Sequence, residues 1–179
     1  QSMDHDMAMH TVQYDLIVSS GYDRRLPKSF VSRYSDRILN LHAARLPWGR
    51  GIGTTMFSQL LQYPLGVTIH LIDDGLDTGD IIAEASVGHG NGETLRSIYG
   101  KLLTATNALF EEVLTAFVDG RASAVAQPTI PTHVFARSRA DFEAVLELTP
   151  LGYDTPLHQI IALGSSMRAL SAARLWLSR

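Results

Sequence analysis

Short apolar runs alternate with longer amphipathic segments along most of the chain. Several of the runs end in small or turn-forming residues, which is typical of buried strands that lead into loops. They predict strands at 14–21, 37–42, 66–73 and 81–87. Apolar residues at intervals of three and four predict helices at 27–36, 54–62 and 93–119. Because strands and helices alternate, we predict an α/β layer fold with one main domain over residues 13–131.

The two ends of the chain differ from this middle part. Residues 1–12 have neither strand nor helix periodicity and begin with Gln1-Ser2-Met3, so we expect a tag remnant or a disordered tail. Residues 132–179 are predicted to form a C-terminal extension that is partly helical. Its last part, 156–179, carries apolar residues at helical spacing with a break expected near Gly164. We expect this tail to pack on the main layer or on another subunit.

Composition narrows the class of protein. A chain of 179 residues with 45% hydrophobic and 18% charged residues is typical of one soluble domain with a core. The net charge of −3, without a basic run, argues against a nucleic-acid partner. No apolar run reaches membrane-spanning length. The chain has no cysteine, which is compatible with the cytoplasm, and the spacing of its seven histidines does not indicate a metal site.

Asn40 and His42 are the first candidate catalytic pair. They lie two apart on a predicted strand, so both side chains project from the same face. Near the carboxyl end of the strand they would border the crevice of an open parallel sheet. An amide that donates a hydrogen bond and an imidazole that donates a proton suit a tetrahedral oxyanion. The alternative is a turn asparagine and a histidine bonded to the backbone.

Asp77 extends this pair, because its loop is flanked by Gly75 and Gly79 and can bring a carboxylate towards His42. The carboxylate would favour the protonated imidazole and hold its orientation. The alternative is a plain turn residue. His70 lies on the predicted strand 66–73 and either borders the site or is a core histidine; we favour a supporting role.

These residues resemble the hallmark of the tetrahydrofolate-dependent formyltransferases. That hallmark is Asn-x-His, then Leu-Pro-x-x-Arg-Gly, then an Asp-x-Gly loop. The matching elements, in order, are Asn40, His42, Leu46, Pro47, Arg50, Gly51, 66–70 and 76–82. The sequences around Leu46 and in 152–156 are most similar to those of the enzymes that formylate nucleotide-linked amino sugars.

The resemblance implies a Rossmann-like, open, mostly parallel sheet with flanking helices. It also implies transfer of a formyl group from 10-formyltetrahydrofolate to a small-molecule primary amine, with Asn40, His42 and Asp77 as catalytic residues. The residues it assigns to the formyl donor are Tyr22, Arg24, Arg25, Leu26, Asp73 and Asp74. Those it assigns to the acceptor are Trp48, Arg50 and His70.

One feature departs from the family. Its members carry three further strands before the strand that begins here near Tyr14, and this sequence does not contain them. The strand would then have an open edge, which predicts either a truncated product or a homo-oligomer that covers it. Two alternatives to an active transferase stay open: a non-catalytic folate-binding or interaction module, and a hydrolase that releases formate from the same donor.

Overall fold

The computed structural model describes residues 13–22, 24–129 and 137–177, with side chains as far as residue 169 of the last helix. The predicted tail 1–12 lies outside the described residues. The elements in chain order are β1 (Ile17–Ser20), α1 (Lys28–Arg33), β2 (Ile38–His42), α2 (Thr54–Leu61), β3 (Gly66–Leu71), β4 (Ile81–Ser86), α3 (Leu95–Val118), α4 (Arg139–Leu146), a 3-10 turn (Gly152–Asp154) and α5 (Leu157–Leu177).

The strands form one open sheet in the order β1-β2-β3-β4, flanked by helices, which confirms the α/β fold. The expectation of a mostly parallel sheet is wrong. Only β1 and β2 run parallel, whereas β2 with β3 and β3 with β4 are antiparallel. The link from β3 to β4 holds no helix and is too short for the crossover that parallel neighbours need. The sheet is therefore mixed, and its register sets Asn40 opposite His70 and His42 opposite Thr68.

The main core lies between the sheet and the helices α2, α3 and α5. The strand β3 is buried along almost its whole length, and α3 covers β3 and β4 with one apolar face. A fully buried aliphatic side chain contributes roughly 1.5–3 kcal/mol relative to an exposed one, so this face anchors the long helix. The fully buried aliphatic residues of the main core are Leu39, Val67, Ile69, Leu95, Ile98, Leu102 and Ile160.

A smaller cluster packs under the start of the sheet. Phe30, Val31 and Tyr34, from α1 and its end, lie against Ile38 of β2. The neighbouring strand β1 alternates between half-buried and exposed residues, and Val18 is exposed. In the described part of the chain β1 pairs only with β2, so its other edge is open. The homo-oligomer that would cover this edge stays a prediction.

The C-terminal part contains two differences from the predicted elements. The helix α4 has no counterpart among the predicted helices, although Ser138 and Asp141 form a capping box that starts it. The helix α5 is continuous through Gly164, so the predicted break is wrong. Gly164 lies where α5 crosses α2, and a Cβ there would overlap the backbone of Leu60. The glycine thus permits a close helix contact, to which Arg168 adds a 2.8 Å hydrogen bond to the Leu60 carbonyl.

Gly164→Ala is expected to destabilise the protein by about 1–3 kcal/mol, because the added methyl group forces α5 away from α2. Gly100→Ala is the matched control, since Gly100 lies in α3 with open space around its Cα. This second change is expected to stabilise the protein by about 0.5–1 kcal/mol through helix propensity. Urea unfolding of both variants measures the difference, and equal effects would contradict the close contact at Leu60.

No helix in the described ranges is long and apolar enough to cross a membrane.

Candidate active site

A cleft of about 590 Å³ opens beside the middle of the sheet. It is bounded by the loop after β1, the end of β2, the loop after β3, and one side of α3. The three residues predicted as catalytic, Asn40, His42 and Asp77, line it together with His70. The predicted donor-binding residues also line it; they are Tyr22, Arg24, Arg25, Leu26, Asp73 and Asp74.

Asn40 is held between two neighbours by its amide nitrogen. Its Nδ2 lies 3.1 Å from Nε2 of His70 and donates to Oδ1 of Asp77 at 3.5 Å. The first contact follows from the antiparallel register, which sets Asn40 directly opposite His70. Both amide hydrogens therefore point at protein atoms, and the longer bond to Asp77 is the weaker one.

His70 is buried and neutral. Its Nδ1 donates to the Leu71 carbonyl at 2.7 Å, since a carbonyl only accepts, and Nε2 is left to accept from Asn40. Burial, followed by the charge of His42, lowers the pKa of the His70 imidazole from 6.5 to about 4, against an opposing effect of Asp77. His70 thus serves as a fixed hydrogen-bond acceptor that orients the Asn40 amide.

The side chain of His42 is more exposed than that of His70. The two rings meet edge to face with their centroids 5.8 Å apart. Nε2 of His42 donates to the Gly49 carbonyl at 2.6 Å and lies 3.9 Å from Oδ2 of Asp77. Because Nε2 carries this hydrogen in the neutral ring, Nδ1 is the ring nitrogen with a free lone pair. The expectation that Asp77 approaches His42 is met in distance, but the direct hydrogen bond goes to Gly49.

The loop that carries Gly49 is fixed by a buried hydroxyl group on β3. Thr68 lies opposite His42, accepts the backbone N–H of Leu46 at 3.1 Å and donates to the Ala44 carbonyl at 2.9 Å. Thr68 has no role among the sequence-based predictions, because a strand threonine has no signal beyond its burial. The contact holds the backbone that in turn sets the direction of the His42 ring.

Asp77 joins the two sides of the site. Its Oδ2 accepts the backbone N–H of Gly51 at 2.8 Å, while Oδ1 faces Asn40 and lies 3.8 Å from Nε2 of His70. Its side chain is only 13% exposed, so these interactions are little weakened by solvent. Asp77 has a φ of +53°, a left-handed conformation that aspartate tolerates better than most residues.

The two loops predicted to hold the donor face each other across one end of the cleft. The guanidinium of Arg25 donates to the Asp74 carbonyl, and the Lys28 ammonium lies 3.4 Å from the Asp74 carboxylate. Within the second loop, Asp73 accepts hydrogen bonds from the Gly75 N–H at 3.0 Å and the Thr78 hydroxyl at 2.6 Å. These two bonds restrain the backbone on both sides of Asp77.

Two of the three residues predicted to bind the acceptor lie outside the cleft. Trp48 and Arg50 do not line the cleft. The Arg50 guanidinium is instead bonded to Oε1 of Gln127, at 2.6 Å from Nη2 and 3.2 Å from Nε. The third residue, His70, lines the cleft but uses both ring nitrogens on protein partners.

One part of the cleft lining, which comes from α3 and the C-terminal part, is absent from the sequence-based predictions. Its members are Tyr99, Leu103, Thr106, Asn107, Arg137, Ser138 and Tyr153. The available signal was on α3, where Tyr99 and Leu103 lie four residues apart and outside the apolar stripe that the helix buries. Tyr99 and Tyr153 meet edge to face with their ring centroids 6.1 Å apart.

Known proteins resemble this chain in sequence and in fold. The family model described as Formyl transferase matches residues 1–114, well over half of the chain. The chain belongs to the formyl transferase family. Phosphoribosylglycinamide formyltransferase of Escherichia coli is 32% identical over 120 residues, which cover 65% of this chain and 55% of that relative. The dTDP-4-amino-4,6-dideoxyglucose formyltransferase of Mycobacterium bovis is 32% identical over 117 residues, covering 65% and 49%. This formyl transferase chain thus spans about half the length of the curated relatives it matches.

A solved structure of a formyltransferase resembles this chain in fold. The formyltransferase PseJ from Anoxybacillus kamchatkensis is 34% identical with a TM-score of 0.80. The likeness covers 86% of this chain and 80% of that one. That structure is a complex with UDP-4,6-dideoxy-4-formamido-L-AltNAc and tetrahydrofolate. This chain therefore has the Rossmann-like formyltransferase fold.

Among the described residues of this formyl transferase chain, no group of three or more histidine, aspartate or glutamate side chains is arranged to hold a metal ion.

Proposed function

We propose that the chain transfers the formyl group of 10-formyltetrahydrofolate to the primary amine of a nucleotide-linked amino sugar. One observation carries the proposal: Asn40, His42 and Asp77 meet on one wall of the cleft that the two predicted donor loops also border. The complex of PseJ with tetrahydrofolate and a formamido-sugar nucleotide supports both halves of the reaction.

The size and the lining of the cleft support this proposal. Pockets for a drug-sized ligand measure roughly 300–1,000 Å³, and the cleft has about 590 Å³. At the end formed by the donor loops, backbone groups and the side chains of Arg24 and Leu26 are available to a flat ring with a polar edge. Elsewhere in the cleft, Tyr99, Tyr153 and Arg137 offer aromatic faces and a cation to the acceptor.

The bonds made and broken define what the chain must supply. The amine nitrogen forms a bond to the formyl carbon, and the carbonyl electron pair moves to oxygen. The bond from that carbon to the folate nitrogen then breaks, the folate nitrogen gains a proton and the amine nitrogen loses one. The protein must therefore stabilise an oxyanion and move a proton between two nitrogens.

His42 is placed to move that proton. Its Nε2 hydrogen is held by the Gly49 carbonyl, so Nδ1 is free to accept the proton of the attacking amine. The imidazolium that forms lies 3.9 Å from the Asp77 carboxylate, which stabilises its charge until the proton passes to the leaving nitrogen. This assignment gives Asp77 an electrostatic role without a proton transfer of its own.

Asn40 is placed to stabilise the oxyanion with the hydrogen that now faces Asp77. That bond is 3.5 Å long, so a negatively charged oxygen in the cleft competes for the hydrogen at little cost. The second hydrogen stays on His70, which keeps the amide plane fixed while the charge develops. We therefore assign His70 to orient Asn40, in place of the predicted contact with the acceptor.

The test is a product assay with three readouts. The protein is incubated with 10-formyltetrahydrofolate and a panel of nucleotide-linked amino sugars, and tetrahydrofolate, formate and formylated sugar are each measured. Formylated sugar in step with tetrahydrofolate supports the transferase. Formate without an acceptor would instead indicate the hydrolase, and folate binding with no turnover would indicate a binding module.

A further inference from the structure

We infer that Gln127 is a positioning residue that locks the Asp77 loop against the loop of Arg50 and Gly51. The effect on turnover rests on the proposed function, whereas the lock itself is a property of the fold. Gln127 does not line the cleft, so any influence on the reaction passes through the groups it holds.

The side-chain amide of Gln127 uses all of its hydrogen-bonding capacity. Its Nε2 donates to the Asp77 carbonyl at 2.9 Å and to the Gly79 carbonyl at 2.8 Å. Its Oε1 accepts both hydrogen bonds from Arg50. One side chain thus ties the backbone on either side of Thr78 to the guanidinium group of another loop.

Asp77 needs such a restraint, because its backbone has a left-handed φ of +53° and the side chain must face two directions at once. The Gln127 bond acts on the Asp77 carbonyl, and the Asp77 carboxylate in turn accepts from the Gly51 N–H, next to Arg50. The loop of Asp77 and the loop of Arg50 are therefore joined twice. Movement of either loop shifts the carboxylate relative to His42 and Asn40.

Gln127 is itself held on a segment with no helical or strand periodicity. Val125 pairs with Ile81 at the start of β4 through two backbone hydrogen bonds of 2.8 Å. This anchor sets the segment beside the loop that ends at β4, so the amide reaches both loops. The pairing explains why a residue so far along the chain from Asp77 controls its loop.

Two variants separate the hydrogen bonds from the volume of the side chain. Gln127→Met keeps the length of the side chain and removes all four hydrogen bonds, and Gln127→Glu keeps acceptors for Arg50 but removes the donors to Asp77 and Gly79. Gln159→Ala, at an exposed position of α5, is the control. Amide hydrogen exchange over residues 73–80 and the steady-state constants kcat and KM are measured for each.

We expect exchange over 73–80 to rise on the order of tenfold in both Gln127 variants, because the loop opens more often once its two carbonyl bonds to Gln127 are lost. Exchange in β3 should stay as in the unaltered protein. We expect kcat to fall about tenfold or more with KM for the acceptor little changed, since a misplaced catalytic group lowers turnover more than binding. Gln159→Ala should match the unaltered protein in every readout.

Unchanged exchange over 73–80 in Gln127→Met would overturn the lock, whatever the activity. If the unaltered protein transfers no formyl group, the proposed function fails, and the exchange experiment still decides the lock. Raised exchange together with an unchanged kcat would overturn the positioning role.

Discussion

Replacing His42 by alanine is expected to lower formyl transfer by about a hundred- to ten-thousandfold, the usual range for the loss of a general acid or base. The imidazole lies on the cleft wall with one nitrogen fixed on Gly49 and its charge facing Asp77. Alanine removes the proton carrier and leaves the cleft otherwise in place. The measurement is kcat from the release of tetrahydrofolate in the presence of an amino-sugar acceptor.

His158→Ala is the matched control, because His158 is exposed on α5 and does not line the cleft. It should keep full turnover. The circular dichroism spectrum and Tm of His42→Ala establish that the variant is folded. A folded His42→Ala protein that keeps a tenth or more of the turnover would contradict the role assigned to His42.

Acid is expected to weaken the fold through His70. The pKa of its imidazole is about 4 in the folded protein and 6.5 when exposed, so between these values the unfolded chain binds more protons. The stabilising contribution is therefore complete above pH 6.5 and is lost as the pH falls towards 4. Its full size is about 3 kcal/mol, because one unit of pKa corresponds to about 1.4 kcal/mol.

The check is the free energy of urea unfolding at pH 7 and at pH 4.5 for the unaltered protein and for His70→Gln. Glutamine offers Asn40 an acceptor but does not titrate, so its variant should lose less stability on acidification. His158→Gln, at an exposed position, should behave as the unaltered protein does. Identical pH dependence in the unaltered protein and in His70→Gln would refute a buried, neutral His70.

Much of the secondary structure could be predicted from local patterns. The strands β1 to β4 and the helices α1 to α3 all fall within their predicted ranges, with shorter ends. The helix α4 was missed because eight residues with little amphipathic character give a weak periodic signal. The continuity of α5 was not predicted, because Gly164 is needed for the close contact with Leu60 of another helix. Local helix propensity does not include that contact.

The candidate site also has residues that could be selected from the sequence and residues that could not. Asn40, His42 and Asp77 could be selected from their residue types, their spacing and the family resemblance. Trp48 and Arg50 share the same sequence motif, yet they do not line the cleft. Sequence proximity to a motif does not settle whether a side chain faces a ligand or a neighbouring loop.

By itself the sequence determined the α/β class, the family and the chemical groups of the site, because these depend on periodicity and on a motif of short range. Only the tertiary structure decided how the groups are used. The antiparallel register of β2 and β3 sets His70 against Asn40, and the pairing of Val125 with Ile81 brings Gln127 to Asp77. Both are contacts between residues far apart in the chain, and their strength depends on burial and direction, which exist only once the sheet has formed.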